Sequence, residues 1–340
     1  MKLSKSVTTS TTNPTIGVTG ASGFIGKRVV EICLERGLQV VAFVRPPSIY
    51  PQEWVGKVIF VEGDISNAED ASRFVELSDI IIHMAAVVTD WAKKEAYQKI
   101  TIDGTRHLLE AMIGTEKKMV LASSIAVYSR LISQGACTEN LILPEPIGNY
   151  SWSKQEQERL VRHYGNTHDI DYTIVRPGNV FGPYSQPWVH EYVVAMKKGP
   201  ILIGSGEQKA LCYIDNVAEV FILAALSDQA NGQVYNATDD NEITWKEYAG
   251  FIAKILVRKA PSSISLKMAL RLASVLQFIY KLLGISSRPA LTEEAISMVA
   301  HDFDIPYTKA KKELGYRPLV GKEEALEKLK EYLIQKYKSH

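Results

Sequence analysis

Apolar positions along this chain fall into two alternating periods. Short runs dense in Val, Ile and aromatic residues read as strands buried on both faces: TIGVTGA (15–21), QVVAFVR (39–45), KVIFVEGD (57–64), IIIHMAA (80–86) and KKMVLASS (117–124). Between them the spacing becomes helical, as at Phe24, Ile25, Val29, Val30, Ile32 and Cys33, with Gly37 placed to stop the helix, and again over 93–113. DYTIVRPGNVFGP (171–183) predicts a sixth strand and QVYNAT (233–238) a seventh. Buried strands separated by helices call for an α/β fold, a parallel sheet covered on both faces. Segments 184–210 and 240–335 are less periodic. A helix is predicted near 322–338, with Leu326, Leu329 and Leu333 on one side.

Length and composition narrow the picture. The 340 residues suit two domains, or one domain with a lobe. With 46% hydrophobic and 23% charged residues, the chain is not mainly disordered. Lys and Arg number 39 against 38 Asp and Glu, so no global field favours nucleic acid, and no nucleic-acid partner is expected. Cys33, Cys137 and Cys212 are odd in number and far apart, which argues against a disulfide framework and for a reducing, cytoplasmic setting. No apolar run is long enough to span a membrane. The Ser/Thr-rich residues 1–13 read as a disordered tail, with a transit fragment as the alternative.

Chemistry enters at Thr19-Gly20-Ala21-Ser22-Gly23-Phe24-Ile25-Gly26, which follows a strand and opens a helix. In that context Gly20 serves a tight turn, Gly23 close approach to a pyrophosphate and Gly26 helix–strand packing. A ligand-free glycine turn is the alternative. The residues predict a Rossmann-type doubly wound sheet, with a dinucleotide-binding domain of 14–183 plus 211–239. A smaller, mostly helical C-terminal substrate lobe would comprise 184–210 and 240–340. The second strand ends in Arg45 with no acid, which favours NADP over NAD, although a solvated cation would look the same. Asp64 is placed for an adenine amino group with Ile65 against the ring, or for a plain turn.

Ser123-Ser124 follows the fifth strand, and Tyr150 and Lys154 lie four apart, on one helix face. An adjacent ammonium lowers a phenol's pKa toward working pH, so Tyr150 is the candidate acid–base, Lys154 its partner and ribose ligand, and Ser124 the donor to the reacting carbonyl. A Y-x-x-x-K pair by itself is common on helix surfaces. The order of glycine turn, serines, Tyr and Lys raises it above chance.

With these motifs the chain resembles the extended short-chain dehydrogenase/reductase superfamily over about 15–330. The resemblance implies cofactor contacts at Gly20, Ser22, Gly23, Phe24, Ile25, Gly26, Asp64, Ile65, Ala85, Ala86, Tyr150, Lys154, Pro177, Gly178 and Val180. It implies substrate contacts at Val88, Ser123 and Asn179. The chain departs from the family at Thr101, where Asn is usual. Ser124-Ile125-Ala126 lacks the acids of the family's dehydratases. Lys209-Ala210 replaces the Arg-Asp usual in nucleotide-sugar epimerases. HMAAVVTDW (83–91), Asp215-Asn216 and 303–318 resemble the 3β-hydroxysteroid dehydrogenase group, and QVVAFVRPPS resembles dihydroflavonol reductases.

The resulting expectation is an NADP-preferring oxidoreductase, with NAD possible, that interconverts a ketone and a secondary alcohol on an apolar or aromatic small molecule. The alternatives are a nucleotide-sugar epimerase or reductase with bound NAD, and a non-catalytic cofactor-binding sensor or scaffold. In 265–283, Lys267, Arg271, Ser274, Gln277 and Lys281 form one polar stripe on an otherwise apolar helix. That helix reads as a buried lobe helix, as a wall over the substrate, or as a peripheral membrane contact. A homodimer is expected from the family. No metal is expected: His83 reads as a core or cofactor-edge residue, and His163 and His168 lack a third ligand.

Overall fold

The computed structural model describes residues 13–47, 49–135, 137–196, 201–209, 211–301 and 304–337. All but the last residue of the predicted tail lies outside them. The strands in chain order are β1 (Ile16–Thr19), β2 (Val40–Val44), β3 (Val58–Glu62), β4 (Ile80–His83), β5 (Lys118–Ala122), β6 (Asp171–Pro177), β7 (Asn179–Phe181), β8 (Ile201–Ile203), β9 (Leu211–Tyr213), β10 (Val234–Ala237) and β11 (Ser262–Ile264). Seven of them form one sheet in the order β3-β2-β1-β4-β5-β6-β10, with every pairing parallel. The order reverses between β1 and β4, and in sheets of this kind a ligand crevice lies beyond the carboxyl ends at such a reversal.

The continuous apolar runs of these strands follow from burial on both faces. Along β2, Val40, Ala42 and Val44 enter one core, while Val41 and Phe43 enter the other. The first core is closed by α1 (Phe24–Glu35) and, further along the chain, by a helix over Ile214–Leu226. The second is closed by α2 (Ala68–Glu76) and, after the short α3 (Lys94–Ala96), by α4 (Gly104–Met112) and α5 (Asn149–His168). The chain continues through α6 (Glu191–Met196), α7 (Ile214–Leu226), α8 (Trp245–Ile255), α9 (Leu266–Leu282), α10 (Glu293–Ser297), α11 (Thr308–Glu313) and α12 (Lys322–Tyr337).

Helices α8 and α12 share the first core with the sheet, through Tyr248, Ile252, Leu329 and Leu333. Asn216 ties the segment after α11 to α7. Its Oδ1 accepts from the Leu319 and Val320 amides at 2.7 and 2.9 Å, and its Nδ2 donates to the Val320 carbonyl. Its neighbour Asp215 is paired with Arg28.

Three expectations need correction. The predicted sixth strand, 171–183, breaks at Gly178, where the chain leaves the sheet and β7 pairs with β9. The predicted helix 93–113 is widened over Tyr97–Asp103 into π-helical backbone. Helix α9 is not the buried lobe helix that was one reading of 265–283: its buried residues are Ala269 and Ala273.

Candidate active site

The glycine turn forms one wall of the crevice. Gly20 has φ +65°, a left-handed conformation that favours glycine. A Cβ on Gly26 would lie 2.2 Å from the Gly20 carbonyl oxygen, so only glycine lets α1 start against the turn. Gly23 caps α1 with no side-chain partner, and the first turn carries no acid among the described residues. Ser22 and Gly23 are exposed, and Phe24 and Ile25 are half-buried. The unpaired amides of this helix start therefore face open space and suit an anion.

The opposite wall is the chain after β4. Thr19 Oγ1 accepts from the Met84 and Ala85 amides at 3.0 and 3.1 Å, which holds half-buried Ala85 and Ala86 beside Gly20. The same hydroxyl contacts His83 Nδ1 at 2.7 Å, and His83 Nε2 lies 2.9 Å from Thr105 Oγ1. Burial, with the Lys154 charge nearby, lowers the His83 pKa to about 3, so the ring is neutral. A chain of donors then fits throughout: Thr19 donates to Nδ1, Nε2 donates to Thr105, and Thr105 donates to the Thr101 carbonyl. Thr101, where the family has Asn, also accepts the Val87 amide on its hydroxyl at 3.0 Å.

At the outer rim Arg45 is exposed at the end of β2. Asp64 Oδ1 accepts from the Ser66 amide at 2.9 Å and hydroxyl at 2.8 Å. These bonds chiefly hold its carboxyl below the usual range, helped by Arg45 and Lys99. The turn role of Asp64 is thus realised. The Ile65 side chain is committed to the core, where a Cβ on Gly104 would touch it at 3.0 Å.

Ser124 caps a 3₁₀ stretch after β5, its Oγ accepting the Ala126 amide at 3.1 Å. Tyr150 lies in the first turn of α5 with its hydroxyl hydrogen-bonded to Ser124. Lys154, one turn on, is only 3% exposed. Its Nζ donates to the Ala122 carbonyl at 2.8 Å and to Gln157 Oε1 at 2.9 Å. Burial lowers its pKa to about 7 against the pull of Glu158.

The expected lowering of the Tyr150 pKa is corrected. Burial raises it to about 12, the Ser124 hydrogen bond opposes this, and the Glu294 carboxylate adds to the rise. Desolvation of the phenolate outweighs what a half-neutral lysine can offer. Glu294 was not foreseen. Its Oε1 accepts the Ser151 amide at 2.6 Å, and its Oε2 is buried with no hydrogen-bond partner among the described residues. Nothing in the local sequence marks this residue, because it reaches α5 from 143 positions away.

Other candidates are placed differently. Ser123, expected at the substrate, is turned away: its buried hydroxyl donates to Glu158 Oε1 at 2.6 Å. Consecutive residues leaving a strand point to opposite sides, so Ser123 and Ser124 cannot share the site. Asn179, also expected at the substrate, is buried and donates to the Met298 carbonyl at 2.8 Å. Val88 is exposed beyond the second wall. Pro177 and Val180 are buried and Gly178 is half-buried, at the end of β6. Glu158 also forms a two-pronged pair with Arg176, at 2.8 and 2.6 Å, and Arg176 donates to Tyr128, which donates to Asn236. This network was missed, although Glu158 lies four after Lys154 on the face that carries Tyr150. Among the described residues, no three His, Cys, Asp or Glu side chains converge to hold a metal.

Residues 16–238 match the family described as NAD dependent epimerase/dehydratase. The chain is 29% identical over 324 residues to the sterol-4-alpha-carboxylate 3-dehydrogenase, decarboxylating, of Mus musculus, covering 92% of this chain and 88% of that one. It is 28% identical to a 3-beta-hydroxysteroid dehydrogenase of Mycolicibacterium neoaurum, covering 91% and 88%. A 2-alkyl-3-oxoalkanoate reductase of Stenotrophomonas maltophilia is 27% identical, covering 92% and 97%. In fold it is similar to UDP-glucuronic acid 4-epimerase from Bacillus cereus, solved with UDP-glucuronic acid and NAD: TM-score 0.74, 24% identity, covering 95% of this chain and all of that one. The glycine turn at the switch point and the match over two-thirds of the sequence agree: this chain belongs to the NAD dependent epimerase/dehydratase family, within the extended short-chain dehydrogenase/reductases.

Proposed function

We propose that the protein reduces a ketone to a secondary alcohol on a bulky apolar substrate, using a nicotinamide cofactor with NADP preferred. The observation that carries this reading is the pairing of the Ser124 and Tyr150 hydroxyls beside the buried Lys154, next to an anion-binding helix start. The residues fit the cofactor: the uncapped α1 amides would hold the diphosphate, and Arg45 would face a 2′-phosphate. Bound there, the cofactor supplies the hydride. In its ammonium form Lys154 uses two of three donors on Ala122 and Gln157, which leaves one for a ribose hydroxyl.

The Tyr150 hydroxyl gives its proton to the carbonyl oxygen, and the Ser124 hydroxyl donates a hydrogen bond to the same atom. Burial keeps the phenol protonated at neutral pH, the form that reduction requires. The substrate class follows the relatives, whose names include a hydroxysteroid dehydrogenase, a sterol dehydrogenase and an oxoalkanoate reductase. Three buried free cysteines suit a reducing, cytoplasmic compartment.

The test is absorbance decay of NADPH and of NADH with a panel of steroid and alkyl ketones. Steady NADPH oxidation, faster than with NADH and lowered at least ~10²-fold by Tyr150→Phe with cofactor binding kept, is expected. Interconversion of a UDP-sugar with no net cofactor oxidation would replace this reading by an epimerase. Full activity in Tyr150→Phe would remove Tyr150 from the chemistry.

A further inference from the structure

Helix α9 exposes what a helix ordinarily buries. Met268, Leu272, Val275, Ile279 and Leu282 recur at alternating spacings of four and three, and all are exposed. Phe278, 66% exposed, and Leu283 widen this stripe beyond the narrow seam that one partner helix would fill. The opposite side presents Ala269 and Ala273, whose small side chains let α9 lie close to the rest of the protein.

Charge identifies what would cover the stripe. From Tyr248 to Thr292 the sequence carries seven Lys and Arg residues and no Asp or Glu, although the whole chain is only +1. On α9, Lys267, Arg271 and Lys281 are exposed along the stripe's edge. Two copies of this face would bring cations against cations, since the one acid bonded to α9 among the described residues, Glu293, is held on Ser274. An anionic bilayer meets both features: its acyl boundary takes the apolar side chains, and its phosphates meet the ammonium and guanidinium groups.

The helix also adjoins the crevice. Tyr280 packs edge-on against Trp91 at 6.3 Å, Lys281 lies over the same ring at 6.0 Å, and Arg288 pairs with Asp90. Trp91 and Asp90 end the loop that begins with Ala85 and Ala86. We propose that α9 docks the protein in the plane of an anionic lipid surface. Where the reading above as a reductase of apolar ketones holds, the site entrance then lies where such a substrate partitions.

The experiment is flotation of the full chain with vesicles of phosphatidylcholine containing about 30 mol% phosphatidylserine, against phosphatidylcholine alone. No substrate is present, so its result is separate from the reaction proposed above. Binding at least ~10-fold tighter to the anionic vesicles, weakened by salt, is expected. Lys267→Glu with Arg271→Glu, and separately Val275→Ser with Phe278→Ser and Leu282→Ser, should each lower it by ~10-fold or more, with NADPH affinity unchanged. Wild-type chain that binds neither vesicle, or binding that both variants leave intact, overturns the proposal. So does a wild-type dimer that the apolar variant turns monomeric in sedimentation, since a second copy would then be the cover.

Discussion

Helices α5 and α9 depart from ordinary amphipathicity in opposite directions. The buried face of α5 carries Ser151, Ser153, Lys154, Gln155, Gln157 and Glu158, with Val161 as its apolar member. The exposed face of α9 is Met, Leu, Val, Phe and Ile, among its few cations. In α5 each buried polar group finds a partner: Lys154 on Ala122 and Gln157, Gln155 on the Val127 and Pro144 carbonyls, Glu158 on Ser123 and Arg176. In α9 the apolar groups have no such cover among the described residues. A polar face that is fully paired inside a protein holds chemistry in place. An apolar face left outside points to a partner.

The largest effect should follow from breaking the pairing inside α5. Glu158 is 1% exposed and joins β5, β6 and α5 through Ser123 and Arg176. Glu158→Ala leaves a buried guanidinium unpaired, at a cost of about 3–5 kcal/mol. Urea denaturation of wild type and variant checks this. A loss under about 1 kcal/mol would mean that water reaches Arg176, and that the contrast between the two helices is overstated.

A smaller and pH-dependent effect belongs to Lys154. Its pKa is near 10.4 in an unfolded chain and about 7 when folded. Between those values the unfolded state binds more protons, so stability gains up to about 1.4 kcal/mol per pH unit as pH rises from 7 to 10.4. Below pH 7 the penalty for burying the charge is fully present. Lys154→Met removes this contribution, so the difference in unfolding free energy between wild type and variant should change with pH over that window. A pH-independent difference would show that Lys154 is not desolvated.

The two helices also differ in how far their sequences disclosed them. The sheet was readable because its central strands are apolar on both faces and the connections between them have helical spacing. The exit at Gly178, the widened turn at Tyr97–Asp103 and the short strands β8, β9 and β11 escaped, since all are set by tertiary contact. The Tyr150–Lys154 face was readable by spacing. Its supports, Glu158, Arg176 and Glu294, were not, because they converge from α5, β6 and α10, and no local pattern encodes that meeting. Ser123 and Ser124 are adjacent in sequence, and the alternation of side chains after β5 separates them. For α9 the stripe was visible, but which side faced the protein was not: a stripe of leucines looks the same buried or bare.

The smallest expected effect falls on α9 and is the sharpest check of its half of the comparison. Phe278 and Leu282 are 66% and 72% exposed. A core Leu or Phe replaced by a small residue costs about 2–5 kcal/mol. Surface changes usually stay within about 0.5 kcal/mol. Phe278→Ser with Leu282→Ser should therefore leave the urea midpoint of the lipid-free chain almost unmoved, even though two large apolar groups are lost. Serine has lower helix propensity than leucine, so a few tenths of a kcal/mol of loss is intrinsic to the helix and carries no message about packing. A drop above about 2 kcal/mol would mean that the face is covered in solution. Repeating the measurement across a hundredfold range of protein concentration then identifies the cover. Concentration-dependent stability in the wild type, absent in the variant, would point to a second copy.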